Sequence, residues 1–501
     1  MKFIIKILFL VLLPVYGIGQ TTFSKIISNY PLDPETAWVV AEAPDGYIVV
    51  SWGECLGQDV VICGVVSKLD KNGNVVWFKQ LDFYPNPSSS LIIKNDKIYI
   101  CGGTNQGEIQ VVLHCLDLDG NTLWNKSYGE PNKFDFGAAM VFTSDNHIII
   151  CGTRYPDEAG QPLRIVYIVK TDLDGNLIEE YIYDFQNNQS LGWSIIETKD
   201  HQTVFSFDAC PTSCFTDFTG GVASIDSIGN QTWYLELPLS FQPDQPTVIQ
   251  ADSFMLIVNW HTMTSLPNHD LTPPTLFYLS LAGEVQDSLV FENQSLKKIE
   301  DIESIWENGM VGCGSNFIDY LTNPDPDPGG WVFRVNTSKQ VLWERTYADS
   351  SFQASADRLQ SIIPTSDGGY IAVGRIVNNM TGVVEAHNWI LKLDSLGCLE
   401  PGCGETEYLT DTKEATFING RDILIYPNPA TDYVNIQLPI NYTKDNMSAF
   451  IVSINGKTLK KIDIVSRETR LTLPKVTTGI YFVIITKGNE IIVSKRFQII
   501  N

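Results

Sequence analysis

The chain is poor in the residues and signatures that carry catalysis. Its six histidines are scattered along 501 residues. It has no HExxH for a zinc protease, no GxSxG elbow for a serine hydrolase, no Walker loop and no dinucleotide fingerprint. No two of its ten cysteines are adjacent, so the vicinal pair used by quinone-dependent dehydrogenases is missing. Their spacings do not give a four-thiolate zinc set either. Basic side chains are few, with 34 Lys and Arg against 58 Asp and Glu and a net charge of −24. A surface this acidic repels phosphate backbones and anionic lipid, which argues against nucleic acid as a partner. Beyond the first twenty residues no apolar run is long enough to span a bilayer, so no transmembrane anchor is expected. These absences leave no catalytic residue, cofactor-binding residue or metal ligand to assign.

What is present suits a secreted β protein. Hydrophobic residues make up 44% and charged residues 18%, enough to bury a core. Aromatics reach 11%, and 37 Gly with 25 Pro supply many turns. Residues 1–20 read MKFIIKILFLVLLPVYGIGQ. Lys2 and Lys6 precede a short apolar run, and Gly17 and Gly19 stand at −3 and −1 of a cut before Gln20, the pattern of a signal peptide over residues 1–19.

An internal repeat dominates the rest. A strand-like run recurs seven times, beginning at Gly46, Lys97, His147, Thr203, Ser253, Gly309 and Gly369. A second marker fixes the register: LDKNGN, LDLDGN, TDLDGN, IDSIGN, then weaker copies at Gly283 and Gly397 and one at Lys339 that has lost its Gly. Asp or Asn followed by Gly supplies the positive-φ positions of a tight hairpin. Trp77, Trp124, Trp233 and Trp343 each follow this turn by four residues. DLDGN at Asp117 and Asp172 also looks like the start of an EF-hand loop, but position twelve is Tyr128 or Tyr183 where Glu is needed, so a hairpin turn is expected. Four antiparallel strands repeated seven times predict an all-β fold, a seven-bladed β-propeller over residues 20–404. The seventh copy lacks its fourth strand, and residues 23–27 are expected to supply it by pairing with residues 389–393.

The Gly-Asn-x-x-Trp turns resemble those of quinoprotein-like and other bacterial extracellular propellers. That resemblance implies the fold and no particular activity. The repeat also sorts the cysteines. Cys101, Cys151 and Cys313 occupy a core position that Val373 fills in the last copy, so they are expected to be small buried residues. Cys115 takes a site that Lys68, Lys170 and Lys392 fill elsewhere. Cys55 with Cys63, Cys210 with Cys214, and Cys398 with Cys403 are close enough to bridge loops, the last across a Pro-Gly turn.

Loop lengths differ between the two ends of the repeat. Turns joining first to second and third to fourth strands are short and share one face. Connections from second to third strand are long, at 208–220, 261–274, 315–329 and 376–387, on the opposite face. Function usually sits on long loops held by a rigid scaffold. The expected ligand face therefore carries Phe215, Asp217, His269, Asp270, Tyr320, Asp325 and Asp327, a mixture suited to a sugar or a cation-bridged ligand. Asp325 and Asp327 could hold a cation, although a solvated proline-rich loop explains the same run.

Residues 405–421 are polar and are expected to be a linker. From 422 to 501, alternating apolar residues predict a small antiparallel β-sandwich. It contains Pro427-Asn428-Pro429, a central Gly456-Lys457 turn, Gly479-Ile480-Tyr481 and a basic end with Lys495. In this order these pieces resemble the type A C-terminal sorting domain of type IX secretion substrates. The resemblance implies export through an outer-membrane translocon, removal of the domain by a sortase, and a secreted or cell-surface location. Outside the cell, a binding or adhesion module for glycan or protein is expected. A polysaccharide-active enzyme and a structural surface component are the alternatives.

Overall fold

A computed structural model describes residues 20–28, 35–54, 62–85, 90–104, 109–130, 134–155, 164–185, 189–210, 218–240, 246–252, 255–260, 273–291, 296–306, 308–317, 329–349, 357–378, 385–400, 403, 406–409, 413–416, 424–427, 429–438, 447–453, 457–487 and 490–500. Every regular element among them is a β-strand. Contacts divide the chain into two units, Met1–Ile26 with Asp33–Ala415, and Ile27–Leu32 with Thr416–Asn501.

The first unit is built from successive antiparallel sheets. After β1 (Phe23–Ser28), sheet one holds β2 (Thr36–Ala43), β3 (Gly46–Glu54), β4 (Ile62–Asp70) and β5 (Val75–Gln80) in chain order. Sheet two holds β6 (Phe83–Pro85) and β7 (Leu91–Lys94), both on β8 (Lys97–Thr104), then β9 (Val111–Asp117) and β10 (Thr122–Tyr128). Sheet three is β11 (Phe134–Phe142), β12 (His147–Tyr155), β13 (Ile165–Asp172) and β14 (Leu177–Tyr183). Sheet four is β15 (Gln189–Glu197), β16 (Thr203–Cys210), β17 (Phe218–Ile225) and β18 (Gln231–Ser240). Sheet five is β19 (Val248–Gln250), β20 (Met255–Trp260), β21 (Thr275–Ser280) and β22 (Val285–Val290). Sheet six is β23 (Leu296–Ser304), β24 (Met310–Phe317), β25 (Gly329–Val335) and β26 (Val341–Asp349). Sheet seven is β27 (Arg358–Pro364), β28 (Tyr370–Asn378) and β29 (Glu385–Leu393), and its fourth strand is β1. The N-terminal strand thus lies where the sequence placed it, with Trp389 Nε1 donating to Ser24 Oγ at 3.1 Å.

Two further strands occupy the segment expected as a linker. β30 (Thr406–Leu409) adds in parallel to β26, and β31 (Lys413–Thr416) adds beyond β1. Polar composition concealed them. An edge strand has one side open to water and needs no apolar alternation to pair.

Core clusters lie between consecutive sheets. One joins sheets one and two through Val50, Val66, Phe83 and Ile100. Another joins six and seven through Cys313, Tyr347, Leu359 and Trp389. Cys101, Cys115, Cys151 and Cys313 are buried free thiols, in keeping with the small apolar role expected for three of them. Cys398 and Cys403 are bridged, with Cα atoms 5.6 Å apart. Cys63 is also disulfide-bonded. Cys55 and Cys214 lie outside the described residues.

The recurring turn explains itself in atomic terms. Asp117 Oδ1 accepts from the backbone N–H groups of Asp119 and Asn121, and Oδ2 accepts from Asn121 Nδ2. Asp70, Asp172 and Asp226 repeat this pattern. The carboxylates are consumed by their own turn, which disposes of the calcium-loop likeness. The turn glycine has positive φ and meets an aromatic ring of the preceding sheet. A Cβ at Gly175 (φ 74°) would lie 2.7 Å from Trp124, and one at Gly397 equally close to Trp343. The same contact joins Gly73 to Phe23, Gly120 to Trp77, Gly229 to Tyr181 and Gly283 to Trp233. The exception is instructive. Asp287 stands at the Trp position of sheet five, so the next turn has room for Lys339, whose ammonium sits 2.6 Å from the Asp287 carboxylate.

The second unit has two sheets. One is β32 (Leu424–Tyr426), β33 (Tyr433–Gln437) and β36 (Glu468–Thr472). The other runs β35 (Thr458–Asp463), β34 (Met447–Ser453), β37 (Gly479–Lys487) and β38 (Glu490–Ile499). Val434, Ile436 and Leu471 of the first share one buried cluster with Ile451, Val483 and Phe497 of the second.

Candidate functional site

The expected ligand-face residues Phe215, Asp217, His269, Asp270, Tyr320, Asp325 and Asp327 all lie outside the described residues. What the structure does place at the long-loop end is a set of buried polar groups at the start of the first strands. Asp135 is fully buried and takes a two-pronged contact from Arg154, whose guanidinium also lies 3.9 Å from the Tyr167 ring centroid. At the equivalent positions, Glu35 accepts from Asn388 Nδ2 and Asp357 accepts from the Val377 N–H. The backbone N–H of Glu35, Asp135 and Ser190 each donates to the neighbouring sheet. Spread over several sheets, these acids tie the first strands to their own sheet or to the next and do not form one active centre.

Two cavities open at the short-turn end among the described residues. The larger, of about 500 Å³, is lined by Lys199, Gln250, Glu303, Ser304 and Trp306, with Ser144, Glu197 and His201 at one side. The smaller, of about 330 Å³, shares Ser144, Glu197 and His201 and adds Asp145 and Lys170. Sequence reasoning missed these cavities because the turns between first and second strands that line them are short and carry no motif.

Ser144, His201 and Glu197 invite comparison with a hydrolase triad. Ser144 Oγ is 2.8 Å from His201 Nδ1, and Glu197 Oε1 is 3.8 Å from the same nitrogen. A triad needs the serine and the acid on different ring nitrogens. Ser144 instead donates to Glu197 through both its N–H and its Oγ. Ser366 does the same to Glu42 with no histidine present, and the Lys199 N–H donates to Gln250 Oε1. The arrangement is a latch. A long polar side chain ending the first strand of one sheet accepts from the hairpin turn of the sheet before it.

In sheet six the latch position is Ser304. Its side chain is too short to reach, and its Oγ is buried with no hydrogen-bond partner among the described residues. One residue earlier, Glu303 lines the cavity. Burial, with the charge of Asp301 beside it, pushes the Glu303 carboxyl well above the usual carboxylate range. Burial raises Asp301 too, against the hydrogen bond it accepts from the Ile362 N–H. Residues two apart on a strand share a face, so both carboxyls point the same way. Trp306 forms one wall, and the Lys199 ammonium lies 4.3 Å from its ring centroid.

Elsewhere on this end the lysines singled out by the repeat prove structural. Lys68 pairs with Asp45 at 2.9 Å and the fully buried Lys392 with Asp367 at 2.9 Å, each joining a third strand to the hairpin turn of its own sheet. Among the described residues no group of three His, Cys, Asp or Glu is placed to hold a metal ion.

In the second unit, Tyr481 buries its ring and donates to the Thr477 carbonyl at 2.8 Å, while its neighbour Ile480 is exposed. Pro427 and Pro429 flank the entry to β33, and Lys457 closes the β34–β35 turn through its carbonyl and N–H to Ser453. Lys495 lies opposite Val483 in β38. Asn428 and Gly456 lie outside the described residues.

Among the described residues no helix is long and apolar enough to cross a membrane. Residues 424–500 match the secretion system C-terminal sorting domain. The chain is thereby a type IX secretion substrate, secreted or displayed at the cell surface. No curated protein matches it. Solved structures similar to it include PorZ of Porphyromonas gingivalis, described as an essential bacterial surface component of the type IX secretion system, at 9% identity and a TM-score of 0.34 over 91% of this chain and 69% of that one. The β-propeller domain of the Trilobed protease from Pyrococcus furiosus aligns at 10% identity and 0.42 over 72% and 94%. A xylan β-1,4-xylosidase from Bacillus halodurans aligns at 8% identity and 0.31 over 77% and 94%. At these values no residue role passes from them to this chain.

Proposed function

We propose that this protein is a seven-bladed β-propeller, residues 20–404, that works outside the cell as a binding module for an extracellular glycan or protein. Residues 1–19 are its leader, and 422–501 form a sandwich that serves only export, engaging the translocon and sortase. The seven sheets are the blades. Sheet seven, completed by β1, meets sheet one through Phe23 against Gly73 and through Ser366 to Glu42, which supports a ring closed by strands from both ends of the propeller.

The observation that carries the binding reading is the cavity at the short-turn end. It is of ligand size, has an indole wall and is lined by hydrogen-bonding side chains. The long loops, with Phe215, Asp217, His269, Asp270, Tyr320, Asp325 and Asp327, remain a second proposed face. One observation favours an enzyme instead. Asp301 and Glu303 are paired carboxyls with raised proton affinity, the property a general acid needs. Incubating residues 20–501 with a printed glycan and protein array separates the two readings. Retention of particular members without chemical change is expected, and turnover of any member overturns the binding reading.

A further inference from the structure

We propose that the cavity at the short-turn end of sheets four to six binds a saccharide, with a sugar ring lying against the indole of Trp306. The proposal rests on the binding-module reading and gives it a place and a ligand class.

The chemistry of the lining selects the ligand. An indole offers a broad apolar face, and a pyranose has a matching face of C–H groups with its hydroxyls directed outward from the ring edge. A flat apolar wall beside polar groups therefore suits a sugar better than a wholly apolar ligand. The polar groups are of the required kinds. Ser304 also lines the cavity, and its length sets how much of the space stays open. Glu303 is held toward its protonated form by burial, and such a carboxyl can donate as well as accept. The Lys199 ammonium at the ring brings three more donors. Phosphate is disfavoured, because the Glu197 carboxylate lines the cavity together with Lys199 and offsets its charge. About 500 Å³ accommodates the end of an oligosaccharide.

The frame around these groups is rigid. Gln250 accepts from the Lys199 N–H and donates to the Asp252 carbonyl, at 2.8 and 2.9 Å, so its amide holds two turns in place. Trp306 occupies, in sheet six, the turn position that Lys199 occupies in sheet four and Ser144 in sheet three. Three turns of one repeat thus present three different side chains to a single space, and a preorganised frame binds with less loss of freedom.

The test uses residues 20–501 and a printed array of plant, algal and bacterial oligosaccharides. Bound members are then titrated against three proteins. Trp306→Ala should weaken binding at least tenfold. Ser304→Gln restores the length that Gln250 has at the same position, so it should fill the cavity and weaken binding similarly while keeping or raising Tm. That second variant separates loss of the site from loss of the fold. If oligosaccharides bind and both variants bind like the parent, the site assignment is overturned and the binding-module reading stands. If no oligosaccharide binds, the saccharide proposal falls, and protein members of the wider array decide the general reading alone.

Discussion

The two regions of this chain are organised by opposite means. Residues 424–500 carry ten basic and five acidic side chains, whereas the remainder of the chain carries 24 and 53. The terminal region has one buried cluster shared by two sheets. The larger region has a series of clusters, each drawn from two consecutive sheets. Stability there is close to a sum of neighbour terms, as in other repeat architectures, and a defect in one junction is felt locally. In the terminal region any core defect is felt by the whole unit. The basic region is the one that matches a secretion system sorting domain, and the acidic region is the remainder of the chain.

Removing the terminal region breaks the comparison most completely. Deleting residues 422–501 in a host with type IX secretion should abolish appearance of the cargo in the medium and at the surface, as followed by immunoblot of cell fractions. Normal export of the truncated chain would remove the basis for the division of labour. Within the larger region, deleting residues 21–30 should have the next largest effect. It strips β1 from between β29 and β31 and exposes two strand edges. We expect Tm to fall by roughly 10 °C or more by calorimetry, and an unchanged Tm would show that the N-terminal strand does not hold sheet seven.

The junction rule gives a sharper test. Gly175→Val puts a branched side chain at φ 74° and into Trp124. It should cost about 3 kcal/mol in urea unfolding, while Lys339→Gly, at the equivalent turn facing Asp287, should be nearly silent. Equal effects would mean that the aromatic-to-glycine contacts are incidental.

The smallest expected effect is on acid stability. His114 is buried beside Phe83, and burial, reinforced by Lys79, pushes its imidazole down to about 4. Above pH 6.5 the ring is neutral in both folded and unfolded chains and contributes nothing to the pH dependence. Between pH 6.5 and about 4 only the unfolded chain takes up the proton, so stability is lost as pH falls through that window. His114→Gln should reduce the fall by about 2 kcal/mol across it. An unaltered pH profile would mean the ring is protonated in the fold.

The repeat was legible because each hairpin must solve the same local problem. Asp or Asn saturates its own turn, and Gly supplies the positive φ, so residues 70–74, 117–121 and 172–176 announce themselves without any tertiary information. The place of β1 was legible too, because a missing fourth strand leaves only one candidate. The sorting domain was legible because its motif stays in sequence order, from Pro427 to Lys495.

The cavity was not legible, and the reason is geometric. Its lining comes from Lys199, Gln250, Ser304 and Trp306, residues far apart in sequence that meet only when sheets four to six stand side by side. None belongs to a motif, and Ser304 is conspicuous only against Glu42, Glu197 and Gln250 at the same structural position. The pairing of residues 406–409 and 413–416 with sheets six and seven escaped notice for a related reason. Edge pairing uses backbone groups that every residue carries, so side-chain pattern does not announce it. The sequence alone determined the repeat, its turns and its export signals, because these depend on local conformation or linear motifs. Which polar side chains share a space, which acids are merely fasteners and where a ligand fits were decided by packing between sheets, which no local pattern encodes.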